Sequence, residues 1–345
     1  MNQKEIFYKE KENCKLLFSH VMDSLPDSSL KVIDDLYGAA TVLSMENSKK
    51  HTKILLLLSI VGTLITISFL IYDEVELHGL ILACVVFVFF LFFIHKMADK
   101  GEYHRKYLEY RVLAESLRVE FFLSMAGVEK HVTDILPWFI KKSIPWVEEI
   151  LMSLPGIQLN EKLPILDCWI RDQKSYHEGA IIRAKARKKR DTNITRFAIA
   201  ITLSTFAFGV FFEFFVYTNY SGNLDCESVR VILKILIGTM SAITLFTGSY
   251  YGKMSLDNII NNSKRMILLY GKAEEDVLKN GETEELIIFL AREFLIENST
   301  WYAYQSVNKP DIVIWCNLFM EELFNYGWVI GKIIWTWACS MAELV

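Results

Sequence analysis

The sequence contains few residues that break helices. Only six prolines occur in 345 residues, and there is no Gly/Ser-rich linker or low-complexity stretch. A β-sandwich or barrel consists of many short strands with frequent turn residues between them. The scarcity of proline therefore favours long helices over those β architectures.

The sequence also lacks the motifs that usually carry catalysis. It has no phosphate loop, no dinucleotide-binding glycine fingerprint, no HExxH and no GxSxG. His104 and His177 stand beside charged residues, and we predict that they lie on solvated helix faces. We therefore expect no catalytic residue, no cofactor and no enzyme, although a novel site is left open.

Cysteine usage argues against a disulfide framework or a structural metal. No two cysteines form a CxxC pair, and two fall inside apolar runs. We expect single inert thiols and no metal ligand set. The six are Cys14, Cys84, Cys168, Cys226, Cys316 and Cys339.

Long apolar runs are abundant. Hydrophobic residues make up 52% of the chain, with 23 phenylalanines. Runs over residues 54–72 and 77–94 form one pair, and runs over 197–217 and 231–251 form another. The first two would extend about 27–30 Å as helices and the other two slightly more, enough for a hydrocarbon core of about 30 Å. They predict four transmembrane helices in two hairpins. The polar first fifty residues show no signal-peptide pattern, so the first run must act as an uncleaved signal.

The distribution of cations predicts the orientation of these spans. Lysine and arginine cluster before the first run, after the second, before the third and after the fourth, whereas the two short loops contain only Arg230. By the positive-inside rule both loops face outward, and both termini lie in the cytoplasm together with the 100-residue middle segment. The flanking cations are Lys49, Lys50, Lys53, Lys96, Lys100, Arg105, Lys106, Arg183, Lys185, Arg187, Lys188, Lys189, Arg190, Arg196, Lys253, Lys264 and Arg265.

The basic run over residues 183–190 has two interpretations. It is compatible with nucleic-acid binding, but its position beside an apolar run favours a topology signal and contact with lipid headgroups. The net charge of −4 gives no further reason to expect nucleic acid. We expect the lipid bilayer as a partner and no direct nucleic-acid binding.

The predicted fold is therefore an all-α integral membrane protein with two transmembrane hairpins and long cytoplasmic helical extensions. We expect the second span to continue as one long helix past Gly101, the only weak point in that region. The final segment is rich in tryptophan, which suits a membrane interface. The predicted divisions are a cytoplasmic helical segment over residues 1–50, a hairpin over 51–96, cytoplasmic helices over 97–195, a hairpin over 196–252, cytoplasmic helices over 253–310 and an aromatic interfacial segment over 311–345.

Two charges inside the apolar runs are candidate functional residues. Glu213 and Lys234 each lie about four residues inside the outer end of their run, roughly 6 Å deep by the helical rise. A lone charge at that depth is costly, so we predict that they contact each other or line one water-filled cavity. They form either a structural ion pair or a charged ring at the pore mouth of an oligomer. Nearby, residues 238–242 (GTMSA) are of the small type that allows close helix packing.

The helix after the first hairpin shows a seam of seven residues at alternating spacings of four and three. Such a seam fits either a helix packed within its own chain or an intermolecular coiled coil. Arg111 and Glu115 stand at i, i+4 on the polar side. The seam consists of Tyr103, Tyr107, Tyr110, Ala114, Leu117, Phe121 and Ser124.

This helix also carries a family resemblance. Residues 103–118, YHRKYLEYRVLAESLR, resemble the YR-x-x-AE-x-LR helix that follows the hairpin in SLATT-type proteins, the SMODS and SLOG-associating two-transmembrane effectors. Related four-span proteins, some fused to SLOG or ryanodine-receptor-like domains, are similar over about residues 34–310. The other similar stretches are Trp138-Phe139, Pro145-Trp146, Tyr176-His177 and residues 297–301.

The resemblance implies a membrane effector of prokaryotic antiviral defence. It implies that Tyr110, Arg111, Glu115 and Arg118 form a coupling helix, the alternative being a packing and salt-bridge role. The chain has no recognisable SLOG domain, so a separate cytosolic sensor or a nucleotide second messenger is the expected trigger.

Three functions remain open from the sequence. The first is a homo-oligomeric effector that forms a pore or disrupts the membrane. The second is a non-conducting anchor or scaffold that recruits a cytosolic sensor or enzyme. A transporter is third, since Gly/Pro-interrupted spans are absent.

Overall fold

The structure is a computed structural model that describes residues 2–12, 28–75, 77–155, 164–212, 215 and 226–307. Within these residues every regular element is a helix, which confirms the all-α prediction for the described ranges. The segment 311–345 and its predicted interfacial position lie outside the described residues. The helices are α1 (Gln3–Glu12), α2 (Ser28–Val75), α3 (Gly79–Gly101), α4 (Tyr103–Met125), α5 (Val132–Ile135), α6 (Trp138–Ser143), α7 (Pro145–Met152), a π-helical turn (Leu166–Arg171), α8 (Asp172–Phe211), α9 (Cys226–Lys253), α10 (Leu256–Asn280) and α11 (Glu284–Val307).

Among the described residues, four helices are long and apolar enough to cross a membrane, as predicted. They lie within Leu30–Val75, Gly79–Met125, Leu166–Phe211 and Glu227–Asn280. They include residues 54–72, 79–94, 197–211 and 231–251 of the apolar runs predicted from the sequence. Their apolar stretches belong to α2, α3, α8 and α9.

The prediction of one uninterrupted helix beyond α3 is wrong. The helix ends at Gly101, and Glu102 adopts a left-handed backbone conformation with a φ of 49°. Glycine lowers helix propensity, and a left-handed residue cannot continue a right-handed helix. Ser255, with a φ of 50°, separates α9 from α10 in the same way. Both breaks follow the second apolar helix of a pair.

The chain divides into two compact units. The helical unit comprises Met1–Lys53, Gly101–Lys189 and Met254–Lys309. The apolar unit comprises, of the described residues, those within Ile54–Lys100 and Arg190–Lys253.

Helix α4 lies at the centre of the helical unit. The seam residues Tyr110, Leu117 and Phe121 are buried in one large core cluster with residues of α1, α2, α5–α7, α10 and α11. Helix α11 packs antiparallel to α4, since the ring of Trp301 meets Tyr107 and the carbonyl of Gln305 meets His104. The seam is therefore covered by its own chain, which favours the intramolecular alternative over a coiled coil between chains.

In the apolar unit, α2 and α9 pack antiparallel at close range. A Cβ atom added to Gly62 would lie 2.4 Å from Cε1 of Phe246, and one added to Gly238 would lie 2.6 Å from Cδ1 of Leu70. Ala242 is buried in the same apolar cluster. Glycine at these two positions lets the helices approach closely, as the small residues at 238–242 predict.

A larger side chain at the α2–α9 contact should separate these helices. We expect Gly238→Val to lower the free energy of unfolding by about 1–3 kcal/mol, because the new atoms overlap Leu70. The matched control is Gly248→Val, since no atom lies within 4 Å of a Cβ at Gly248 on the same helix. Thermal unfolding in detergent measures both. Equal melting temperatures for the two variants would contradict the packing described here.

Candidate functional site

Three of the four residues proposed for the coupling helix form one polar group on α4. Arg111, Glu115 and Arg118 are four and three residues apart, which places them on one face. Glu115 Oε2 lies 3.0 Å from Arg118 Nη1, and Glu115 Oε1 lies 3.9 Å from Arg111 Nε. Their side chains are 29, 15 and 21% exposed in chain order, so water screens the three charges only in part. We call these three residues the α4 charge cluster.

Arg118 connects the α4 charge cluster to two other helices. Its Nη1 donates to Oε1 of Gln173 on α8 at 3.2 Å. Its Nη2 donates to the hydroxyl of Tyr37 on α2, and the guanidinium also lies 5.2 Å from the Tyr37 ring centre. Burial raises the pKa of the Tyr37 hydroxyl, although Arg118 opposes this shift. One arginine thus holds α2, α4 and α8 together.

Arg111 connects the cluster to α11. Its guanidinium lies 4.2 Å from the centre of the Trp301 ring, a cation–π contact. Burial raises the pKa of Glu297, also on α11, and the charge of Arg111 opposes that shift. Glu297 accepts a hydrogen bond from Asn262 on α10. The cluster therefore links five helices, and its two arginines contact different sets of them.

Tyr110 belongs to a separate polar group on α4. Its hydroxyl donates to Oε2 of Glu10 on α1 at 2.8 Å, and Lys106 Nζ lies 2.6 Å from the other oxygen of Glu10. Beside it, Nε1 of Trp146 donates to Oε2 of Glu109 at 2.9 Å. Burial and then the hydrogen bond to Glu10 raise the pKa of Tyr110. The structure thus does not place Tyr110 with the other three predicted residues.

His177 is buried, so its predicted position on a solvated face is wrong. Only 6% of the residue is exposed, its Nδ1 lies 3.4 Å from Ser263 Oγ, and its ring stacks on Tyr270. Gln173, His177 and Ala184 recur at spacings of four and seven, which puts them on the face of α8 that is buried. His104 is half-buried, with Nδ1 3.2 Å from His51 Nε2.

The burial of His177 predicts a pH dependence of stability. Burial, with the charges of Arg111 and Arg118, lowers the pKa of His177 from 6.5 to about 4, while Glu115 opposes the shift. The unfolded chain therefore binds more protons between these values, and stability falls as the pH falls. This one group should remove about 2 kcal/mol of stability between pH 6.5 and 4.5.

His177→Phe keeps an aromatic ring against Tyr270 and removes the titration. We expect the melting temperature of the wild type to fall more steeply than that of the variant between pH 6.5 and 4.5. The carboxyl groups of the chain contribute equally to the pH dependence of the wild type and of the variant. Parallel curves over this range would show that His177 is accessible to protons in the folded state.

A cavity of about 340 Å³ lies beside Arg118, between α2, α4, the π-helical turn and α8. The cavity is lined by the aromatic rings of Tyr37, Phe121 and Phe122. It is also lined by the carboxylates of Asp34, Asp167 and Asp172. Within the ranges that the structure describes, no group of three His, Cys, Asp or Glu side chains could hold a metal ion.

Lys234 forms an ion pair within the apolar unit. Its Nζ lies 2.9 Å from Oε2 of Glu74, at the end of α2. The side chain of Lys234 is 63% exposed and that of Glu74 is 19% exposed. Glu213, the partner that the sequence predicts, lies outside the described residues. Glu74 was not predicted as the partner, because it lies two residues beyond the end of the first apolar run whereas Lys234 lies inside the fourth.

Comparisons of the sequence and of the structure with known proteins found no relative of this chain. No family model, curated protein or solved structure matches the chain. The SLATT resemblance thus stays an expectation from short sequence stretches. The candidate functional groups are therefore the two described above, the α4 charge cluster and the pair of Glu74 with Lys234.

Proposed function

We propose that this chain is an oligomeric membrane effector of bacterial antiviral defence, which opens a pore or disrupts the inner membrane when activated. The exposure of Lys234 is the observation that carries this proposal. Its ammonium group is paired with Glu74, yet 63% of the side chain is exposed on the flank of an otherwise apolar helix. A cation facing hydrocarbon is costly, whereas one facing water shared between several copies is tolerated.

The proposed topology follows from the cation distribution. The helical unit and both termini lie in the cytoplasm, and the two short loops face outward. The pair of Glu74 with Lys234 then lies near the outer face of the inner membrane. An oligomer with these residues around its axis would have a ring of paired charges at one mouth.

The α4 charge cluster supplies a route from the helical unit to the apolar helices. Helix α4 begins two residues after α3 ends, and α10 begins three residues after α9 ends. A change at Arg118 or Arg111 alters contacts that α4 makes with its neighbours. We therefore propose that activation rearranges this cluster and shifts the helices that continue from it.

The charge of the cavity bears on the trigger. Arg118 is already paired with Glu115, and three carboxylates line the cavity, of which Asp167 is paired with Arg171. The two other carboxylates, Asp34 and Asp172, disfavour the phosphates of a nucleotide second messenger. A cytosolic sensor protein that contacts the surface of the helical unit is therefore the trigger that we favour.

The same ion pair also supports the alternative of a non-conducting anchor or scaffold. Glu74 and Lys234 neutralise each other, as they would if their only role were to hold α2 against α9. In that case the helical unit recruits a cytosolic partner, and the membrane stays sealed.

Inducible expression with a potential-sensitive dye separates these functions. The effector predicts depolarisation within minutes of activation by infection, and slower or absent depolarisation for Lys234→Met at equal membrane abundance. The matched control is Lys272→Met, a lysine on α10 in the helical unit. A membrane-located chain that never depolarises infected cells would favour the scaffold.

A further inference from the structure

A cationic collar surrounds α8 before its apolar stretch. Within residues 183–190 all six cations are exposed, and only Ala184 of this segment is buried. The helix continues directly into exposed apolar residues such as Phe197 and Leu203. The collar consists of Arg183, Lys185, Arg187, Lys188, Lys189 and Arg190.

Two collar residues have partners within the helical unit. Lys188 Nζ lies 2.5 Å from Oδ1 of Asp257, and the guanidinium of Arg183 lies 5.8 Å from the centre of the Tyr176 ring. Among the described residues, no acidic side chain forms an ion pair with Arg187, Lys189 or Arg190. These three cations are exposed and can therefore bind anionic groups in their surroundings.

The collar is spread around the helix instead of forming one stripe. At about 100° per residue, its six cations occupy an arc of about 260°, and the remaining gap coincides with the buried face that holds His177 and Ala184. A protein partner or a nucleic-acid duplex meets a helix on one side. A layer of lipid headgroups surrounds a helix wherever it is exposed.

The distance along α8 from the collar to the apolar stretch also fits a layer of lipid headgroups. Arg190 lies about 10 Å and Arg187 about 15 Å from Phe197 by the helical rise. The headgroup layer is several ångströms thick, and surface charge acts over a further screening length of about 8 Å at physiological salt. Arginine and lysine side chains on this stretch of α8 reach phosphates at that depth.

We propose that the cationic collar on α8 binds the phosphate groups of anionic phospholipids, with Arg187, Lys189 and Arg190 as its main contacts. This inference rests on the membrane insertion that the proposed function assumes. It adds a defined lipid class and a defined binding surface. The collar would enrich anionic lipid around α8 and hold that helix at a fixed depth.

The test uses the full chain in nanodiscs of phosphatidylcholine that contain a trace of spin-labelled phosphatidylglycerol or spin-labelled phosphatidylcholine. The fraction of immobilised label gives the relative affinity for the two lipids. We expect a roughly two- to five-fold preference for phosphatidylglycerol at low salt, which decreases towards one in about 0.5 M salt, as for other basic surfaces.

Two triple variants with the same change in charge give the control. Arg187→Gln with Lys189→Gln and Arg190→Gln should lose most of the preference. Lys272→Gln with Lys279→Gln and Arg292→Gln, all on α10 and α11, should retain it. Insertion is checked by co-purification with the nanodisc.

Each other outcome overturns the inference. An inserted wild type without lipid preference, or an equal loss in both triple variants, overturns it and leaves the proposed function intact. Failure to enter nanodiscs overturns the inference together with the proposed function. If the collar variant instead loses tight binding of a fluorescent RNA duplex while lipid preference is absent, the collar is a nucleic-acid surface.

Discussion

Glu115→Ala should lower the melting temperature of the detergent-solubilised chain by roughly 8 °C. Glu115 is the only carboxylate within salt-bridge distance of Arg111 and of Arg118 among the described residues. Its removal takes the direct salt-bridge partner from two partly buried guanidinium groups, of which Arg111 keeps only a weaker interaction with Glu297. Breaking such a pair costs about 3–5 kcal/mol when it is fully buried, and about 2–4 kcal/mol is reasonable for side chains of 15–29% exposure.

Two further variants make this result specific. Glu115→Gln keeps the shape and removes the charge, so it should lie between the wild type and Glu115→Ala if charge dominates. Glu275→Ala removes an exposed carboxylate from α10 and should change stability by less than about 0.5 kcal/mol. If Glu115→Ala and Glu275→Ala have the same melting temperature, the α4 charge cluster does not hold the helical unit together.

Reversing one charge of the Glu74–Lys234 pair should weaken the contact of α2 with α9, and reversing both should restore it. Lys234→Glu puts two carboxylates close together, and Glu74→Lys does the same with two ammonium groups. We expect each single variant to lose about tenfold in the folding equilibrium, about 1.4 kcal/mol, because like charges repel near an apolar surface. The double variant should recover at least half of that loss.

The same three variants connect stability to function. If the pair is part of the arrangement that depolarises the membrane, melting temperature and depolarisation should both fall in the single variants and both recover in the double variant. Additive losses in the double variant would show that Glu74 and Lys234 do not interact. Restored stability without restored depolarisation would assign the pair a structural role only.

The sequence predicts those features that local patterns determine. Hydropathy over about 20 residues is enough to locate the apolar stretches of α2, α3, α8 and α9, since length and composition are what a membrane span requires. The pairing of Arg111 with Glu115 follows from helical spacing alone. The close contact at Gly238 follows from its small side chain.

The partners of the charged residues could not be predicted, because they are distant in the chain. Arg118 binds Tyr37 and Gln173, 81 and 55 residues away, and Lys234 binds Glu74, 160 residues away. No local sequence pattern indicates which of the distant residues will be the partner. For Lys234, its depth inside the fourth run favours Glu213, which lies inside the third run, over Glu74, which lies beyond the end of the first.

Two errors have local physical causes. The end of α3 depends on the left-handed conformation of Glu102, a residue type that normally continues a helix. The charged residues beside His177 favour a solvated position, although Gln173 and Ala184 mark the buried face at helical spacing. The spacing of small and polar residues was the signal that could have shown its burial.

Fractionation of cells that express the chain with a reporter fused to its C-terminus tests the central claim most directly. We predict that the chain stays with membranes through alkaline carbonate washing and is released only by detergent. A fluorescent reporter that folds only in the cytoplasm should be active, and an exported phosphatase reporter should be inactive. Recovery of the chain in the soluble fraction, or activity of the phosphatase fusion, would contradict four spans with both ends inside the cell.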